Sequence, residues 1–253
     1  MDKQTRKLTG RAPARDSQKS GTFLEHLEEL ARRVRASAIV LLVFAALGLF
    51  FAEPILQFLI IHYGKPLQTL GPSEGISTTI RVGLTFGLAA TSPYIAYQII
   101  AFIRPGLEPR EKRPIYFVVP TAFILFLGGA AFAWYILIPP AVELLENFLP
   151  NIFRNEWTAK EYVAFVLSLV LWIGIAFEMP LVFMFLGRLG IVSPRLLLKQ
   201  WRIAVVAIAV VAAAITPTVD PFTMLLTMGP LIALYFLSIL LTAFTYRKQQ
   251  THS

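Results

Sequence analysis

Six apolar runs separated by short charged stretches leave this chain few ways to fold outside a lipid bilayer. They are approximately Ala36–Leu59, Ile76–Ile103, Ile115–Pro139, Tyr162–Gly187, Ile203–Ile215 and Phe222–Phe244. A helix needs about 20 apolar residues to cross a hydrocarbon core roughly 30 Å thick. Lipid offers no water to satisfy backbone N–H and C=O groups, so runs of this length read as helices. The fold class is therefore all-α: a polytopic integral membrane protein with six transmembrane helices. The fifth run rises only about 20 Å as a helix, and Gly229-Pro230 interrupts the sixth near its start. Two short, late helices are expected. A re-entrant hairpin of these two is the alternative, but Trp201-Arg202 and Tyr246-Arg247-Lys248 read as interfacial anchors.

Charge sets the topology. Of the 23 Lys and Arg, 19 fall in the N-terminal segment, the loops Arg104–Arg113 and Arg188–Arg202, and the C-terminus. Lys65, Arg81, Arg154 and Lys160 hold the other side. The positive-inside rule puts both termini in the cytoplasm. The net charge of +8 thus belongs to topology and to anionic lipid head groups, not to nucleic acid. No cleavable leader is expected, because the first span follows 35 polar residues without a persuasive small-residue cleavage site. With no cysteine, and with His26, His62 and His252 scattered, neither a metal centre nor another cofactor is expected.

The organisation predicted is a tail over 1–21, a six-span domain over 22–246 and a tail over 247–253. Within the domain, Thr22-x-x-Glu25 is a capping-box pattern opening an amphipathic helix over 22–35. Phe23, Leu27, Leu30, Ala31 and Val34 share one face of it, and Glu28–Arg32 and Glu29–Arg33 are i,i+4 pairs. This helix is expected to lie on the inner membrane surface. The first cytoplasmic loop is 104–114, the second 188–202, and the outer loops are 60–75 and 140–161.

Glu178 is the one carboxylate within the Tyr162–Gly187 run. It lies about 15 Å along the helix from Arg188, near the middle of the hydrocarbon. An acid there costs at least about 2.5–3.5 kcal/mol on insertion scales. Pro180 leaves the carbonyl of Ala176 without its usual partner. Glu178 is read as a functional polar site, against the plainer reading of an acid satisfied by a neighbouring hydroxyl or backbone group. Gly83-x-x-x-Gly87 permits close helix approach, and Ser92-Pro93 is expected to kink the second span.

These residues also carry a family resemblance. His26-Leu27-Glu28-Glu29-Leu30-Ala31-Arg32-Arg33 resembles the H-L-x-E-L-R-x-R opening of the TatC family of the twin-arginine protein translocase. Tyr97-Gln98 through Phe102, then Pro105-Gly106-Leu107 and Glu111-Lys112-Arg113, resembles that family's first cytoplasmic loop. Phe177-Glu178-Met179-Pro180 matches its F-E-x-P motif, and Thr216-Pro217-Thr218-Val219-Asp220 resembles its T-P-x-D segment. Ala31 stands where the family has arginine, Thr218-Val219 lengthens the turn, and Met224 and Phe236 make the sixth span less polar.

The resemblance implies a non-catalytic receptor that binds twin-arginine signal peptides of folded cargo and assembles single-span partners of the TatA/TatB type. It implies proton-motive-force-dependent export and self-association in a larger complex, in a bacterial inner membrane or a thylakoid, and the plain tail without a transit-like extension favours the bacterial membrane. It assigns recognition to Glu29 and Glu111, with Leu27, Phe102 and Leu107 as apolar contributors. Thr216 and Asp220 mark the partner-docking edge, and Glu178 faces a cavity. The competing class is a proton- or ion-coupled secondary transporter using Glu178. An intramembrane enzyme lacks a constellation: no Ser/His pair or paired Asp lies within the spans.

Overall fold

The computed structural model describes the backbone of residues 15–103, 117–149, 151–152, 156–215 and 221–250, and side chains between Leu27 and Tyr246. Every extended element among them is a helix; one isolated bridge, Gln68 to Thr158, is the only strand-like pairing. The order is α1 Arg15–Phe50, α2 Ala52–Leu59, a 3₁₀ turn Ile60–His62, α3 Pro72–Ile103 and α4 Val118–Phe132. A π turn, Ala133–Leu137, then leads into α5 Ile138–Glu146, followed by α6 Ala159–Arg188, α7 Pro194–Lys199, α8 Trp201–Ile215 and α9 Pro221–Gln250.

Among the described residues, four helical stretches are both long and apolar enough to cross a membrane: Leu27–Phe50, Val118–Glu146, Ala159–Arg188 and Pro221–Tyr246. The other two expected spans correspond to α3 and α8. At 32 residues α3 is long enough, but Ser77, Thr78, Thr79, Arg81, Thr91 and Ser92 dilute its apolar character. The 15 residues of α8 rise only about 22 Å.

Four sequence-based boundaries are corrected. The helix expected to open at Thr22 is already helical at Arg15, the first described residue, and runs unbroken to Phe50, so residues 22–35 and the first span form one helix. No proline occurs between Pro13 and Pro54, and the two glycines there, Gly21 and Gly48, cost a helix only about 1 kcal/mol each. The first span ends at Phe50 rather than Leu59, because Pro54 cannot donate to the Phe50 carbonyl and its ring crowds it. The third span continues past Pro139 to Glu146. Pro139 and Pro140 bring no N–H, and the π turn absorbs this by passing the Ile138 N–H to the carbonyl of Ala133.

The sixth helix is neither short nor broken: α9 spans 30 residues with Pro230 inside it. Packing along α6 holds it together, and its buried hydroxyls turn inward on their own helix. Thr227, Ser238 and Thr242 each donate to the carbonyl four residues back, at 2.7–2.9 Å.

α6 is the central post. Tyr162, Val163, Phe165, Val166 and Ile173 are fully buried, and α3, α4 and α9 pack around it. Glycines set the closest approaches. A methyl group on Gly87 would stand 2.7 Å from the Ala45 nitrogen, and one on Gly129 would stand 2.9 Å from the Gly174 Cα. The Gly83–Gly87 pattern therefore seats α1 against α3.

At the pole away from most of the basic residues, the loops are stitched by Glu74 in the first turn of α3. Its carboxylate accepts the N–H of Leu70 at 2.7 Å and that of Lys160 at 2.9 Å. Beside it, the Ala159 N–H donates to the Gln68 carbonyl and the Tyr162 hydroxyl to that of Leu59. The N–H of Lys160, then that of Leu70, hold the Glu74 carboxyl below its ordinary value of 4.5. A depressed folded-state pKa means stability present above about pH 4.5 and lost as pH falls through the folded value. Melting temperature should accordingly fall with acidification below that point. The variant Glu74→Gln should melt lower at neutral pH and lose much of that acid-side slope.

Candidate functional site

Two polar constellations stand out, one at the basic pole and one inside the bundle. The first is built where α1 passes the C-terminal end of α3. Glu29 and Arg33 lie one turn apart on α1, and both are about three-quarters buried. Arg33 Nε and Nη2 donate to Glu29 Oε1 at 3.0 and 2.6 Å. Arg33 Nη1 donates to Gln98 Oε1 at 2.8 Å, and Nη2 also reaches the Ala101 carbonyl at 3.2 Å. Gln98 Nε2 in turn donates to the Tyr94 hydroxyl.

Of the two i,i+4 pairs expected on α1, one forms. Glu28 and Arg32 are exposed, and the ion pair on this stretch is Glu29 with Arg33. The difference follows from packing: Arg33 has α3 beside it to complete its hydrogen bonds, whereas Arg32 points to the surface.

Leu27 is exposed, at 45% of its free surface. Phe102 is half-buried at the end of α3 and, with Leu30, Arg33, Val34 and Gln98, lines a cavity of about 330 Å³. Glu29, Leu27 and Phe102 thus share one pole. Leu107, Glu111, Thr216 and Asp220 lie outside the described residues.

The second constellation surrounds Glu178, which is 4% exposed on α6. Ser92 of α3 stands with Oγ 2.9 Å from Glu178 Oε1 and 3.1 Å from the Ala89 carbonyl. Ala89 is four residues before Pro93, so its carbonyl is the one that the proline deprives of an N–H. The hydroxyl carries one hydrogen and two acceptors lie within its reach, so it serves the helix break or the carboxyl. A cavity of about 810 Å³ opens on this pair, walled by α3, α6, α8 and α9, with Trp172, Ile203, Leu231 and Tyr235 among its lining. The two readings weighed for Glu178 therefore meet: it has a hydroxyl partner and it lines a large cavity.

Sequence reasoning missed Gln98 as a partner of Arg33 and Ser92 as the partner of Glu178. Separations of 65 and 86 residues hid both. The available signal was chemical: a polar side chain in an apolar run needs a partner of matching character. Among the described residues, no group of three or more His, Cys, Asp or Glu is placed to hold a metal ion.

Comparison with known proteins gives a consistent result. Residues 25–230 match the family described as TatC, Sec-independent protein translocase protein. The chain is 37% identical to the TatC protein of Synechocystis over 217 residues, covering 85% of each. It is 35% identical to the TatCy protein of Bacillus subtilis over 236 residues, covering 92% of each. A crystal structure of a twin-arginine translocase receptor, TatC, superposes with a TM-score of 0.78 at 33% identity, over 87% of this chain and 99% of that one.

Replacing Ser92 with alanine should destabilise the bundle. Interhelical hydrogen bonds in lipid average about 0.6 kcal/mol, whereas a stranded buried acceptor costs about 1–3 kcal/mol. The hydroxyl's one hydrogen serves one of these acceptors at a time, so a loss toward the lower figure is expected for Ser92→Ala in denaturant titration of the micellar protein, with Ser92→Thr close to wild type.

Proposed function

The chain belongs to the TatC family of Sec-independent protein translocase proteins, and on that premise we propose that it is the receptor and scaffold of its translocase. In this reading it crosses the inner membrane of a bacterium six times, with both termini in the cytoplasm. The basic pole then faces the cytoplasm, where signal peptides bearing consecutive arginines arrive on folded cargo. Glu29 and Glu111 grip the two guanidinium groups, and Leu27, Phe102 and Leu107 receive the apolar residues beside them.

The observation that carries this reading is the state of Glu29, whose carboxylate already holds a guanidinium by two N–H groups. A planar fork of this kind is what distinguishes arginine from lysine. Two neighbouring arginines on an extended peptide point to opposite sides, so acids on separate elements suit them better than one acid.

Partner subunits dock, in this reading, at the edge marked by Thr216 and Asp220, where the short α8 thins the spanning layer. Glu178 and Ser92 face a cavity walled partly by α8, and an inserting single-span helix with a polar residue would find its complement there. Several copies assemble in the active complex, and the proton-motive force drives export.

The recognition arm is tested by binding of an Arg-Arg leader peptide to the purified protein in lipid nanodiscs. Glu29→Ala and Glu111→Ala should each weaken binding roughly fivefold, an effect of about 1 kcal/mol for one charge pair. Unchanged affinity in both would remove the recognition proposal. The second arm is export of a folded reporter into inverted vesicles: Glu178→Gln should slow it while leaving leader-peptide affinity unchanged. Wild-type export by this variant would make the charge of Glu178 irrelevant. Stoichiometric uptake of a small solute with protons, together with indifference to the leader, would replace the receptor with a transporter.

A further inference from the structure

Arg33 makes four N–H···O contacts on three different groups: two to the Glu29 carboxylate, one to the Gln98 amide and one to the Ala101 carbonyl. The last contact is informative. Four residues after Ala101 stands Pro105, which has no N–H, so the Ala101 carbonyl lacks its usual intrahelical donor. Arg33 therefore closes the C-terminal end of α3 while it holds the acid on α1. Gln98 is held in turn from behind, by donating to the Tyr94 hydroxyl one turn earlier. The chain of contacts runs from Tyr94 through Gln98 and Arg33 to Glu29, tying α3 to α1 at the level where the chain leaves α3.

We infer that Arg33 and Gln98 are positioning residues for peptide recognition: together they fix where the Glu29 carboxylate stands relative to the exit of α3. The inference rests on the receptor reading and deepens it. A cation beside the acid that must receive a peptide arginine is otherwise a disadvantage, because it competes for the same carboxylate and repels the incoming charge. The arrangement becomes useful when the guanidinium acts as a bracket. A carboxylate on α1 free to change rotamer loses freedom on binding, and one already clamped loses little. Lysine cannot take this place, since a single ammonium on a flexible stem does not span a carboxylate, an amide and a carbonyl at once. The loop 104–114, which carries Glu111, leaves from the same helix end, so the clamp also sets the distance from Glu29 to the start of that loop.

The test uses the full chain in lipid nanodiscs and two fluorescent leader peptides, one with Arg-Arg and one with Lys-Lys, read by anisotropy. Arg33→Lys keeps the positive charge and removes the bracket. Its Kd for the Arg-Arg leader should rise up to about fivefold, no further than loss of Glu29 itself, and its preference over the Lys-Lys leader should fall by a similar factor. Gln98→Leu should raise Kd about threefold. The double variant should bind no more weakly than Arg33→Lys alone, because Gln98 acts through Arg33; a simply additive loss would overturn the relay. Glu29→Gln separates the two levels. Loss of binding there with wild-type affinity in Arg33→Lys overturns the clamp and leaves the receptor standing, while wild-type binding by Glu29→Gln overturns both. Melting temperature and monodispersity are read for every variant. If Arg33→Lys fails to fold, Gln98→Leu decides alone: a threefold loss supports the clamp, and unchanged affinity overturns it.

Discussion

Apolar side chains gain little in a bilayer by exchanging lipid for protein, so a bundle such as this has to be held by contact distance and by the few polar groups it buries. The closest approaches are made by glycine. Gly83 and Gly87 let the backbone of α1 settle on α3, and Gly129 against Gly174 does the same for α4 and α6. Once those approaches are set, Tyr162, Phe165 and Ile173 on α6 reach full burial, and the remaining helices take their places around that post. The cavity beside Glu178 follows from the same geometry. α8 is short and makes few contacts with α6, so the space between α3, α6, α8 and α9 stays open.

Prolines divide this framework in different ways, and the outcome depends on what can answer the carbonyl each one releases. At Pro54 the helix stops and a new one begins. At Pro139 and Pro140 a π turn shifts the ladder by one residue. At Pro93 the helix continues, and the Ser92 hydroxyl lies 3.1 Å from the released carbonyl. Ser92 is also the partner of Glu178, so the most costly side chain in the membrane interior and a weakened point of α3 draw on one hydrogen.

Much of the architecture could be read along the chain because its signals are local. The apolar runs gave the all-α class and located α3, α6 and α8 to within a few residues, and Gly83 and Gly87 announced a close helix contact. The errors arose where a local signal competes with packing. Gly229-Pro230 looks like a break, yet α9 is held along α6 and passes through it. Thr22-x-x-Glu25 looks like a start, yet the chain is already helical at Arg15. At the candidate sites, residue type was legible and partnership was not. Glu178 stood out as an acid in an apolar run and Glu29 only through the family resemblance, but Gln98, the partner of Arg33, and Ser92, the partner of Glu178, come from α3, which only the folded chain brings beside them.

On the proposed receptor reading, affinity and selectivity at the basic pole come from different sources. Attraction between an exposed carboxylate and a cation is worth only about 0–1 kcal/mol and scarcely distinguishes arginine from lysine. Discrimination has to come from geometry, and geometry is costly to maintain at the end of a helix where chains fray. The protein meets this with a guanidinium of its own, whose contacts span both helices and one of the carbonyls left over at the end of α3. On the proposed receptor reading, Arg33 makes to Glu29, within the protein's own structure, the kind of contact that a peptide arginine would make.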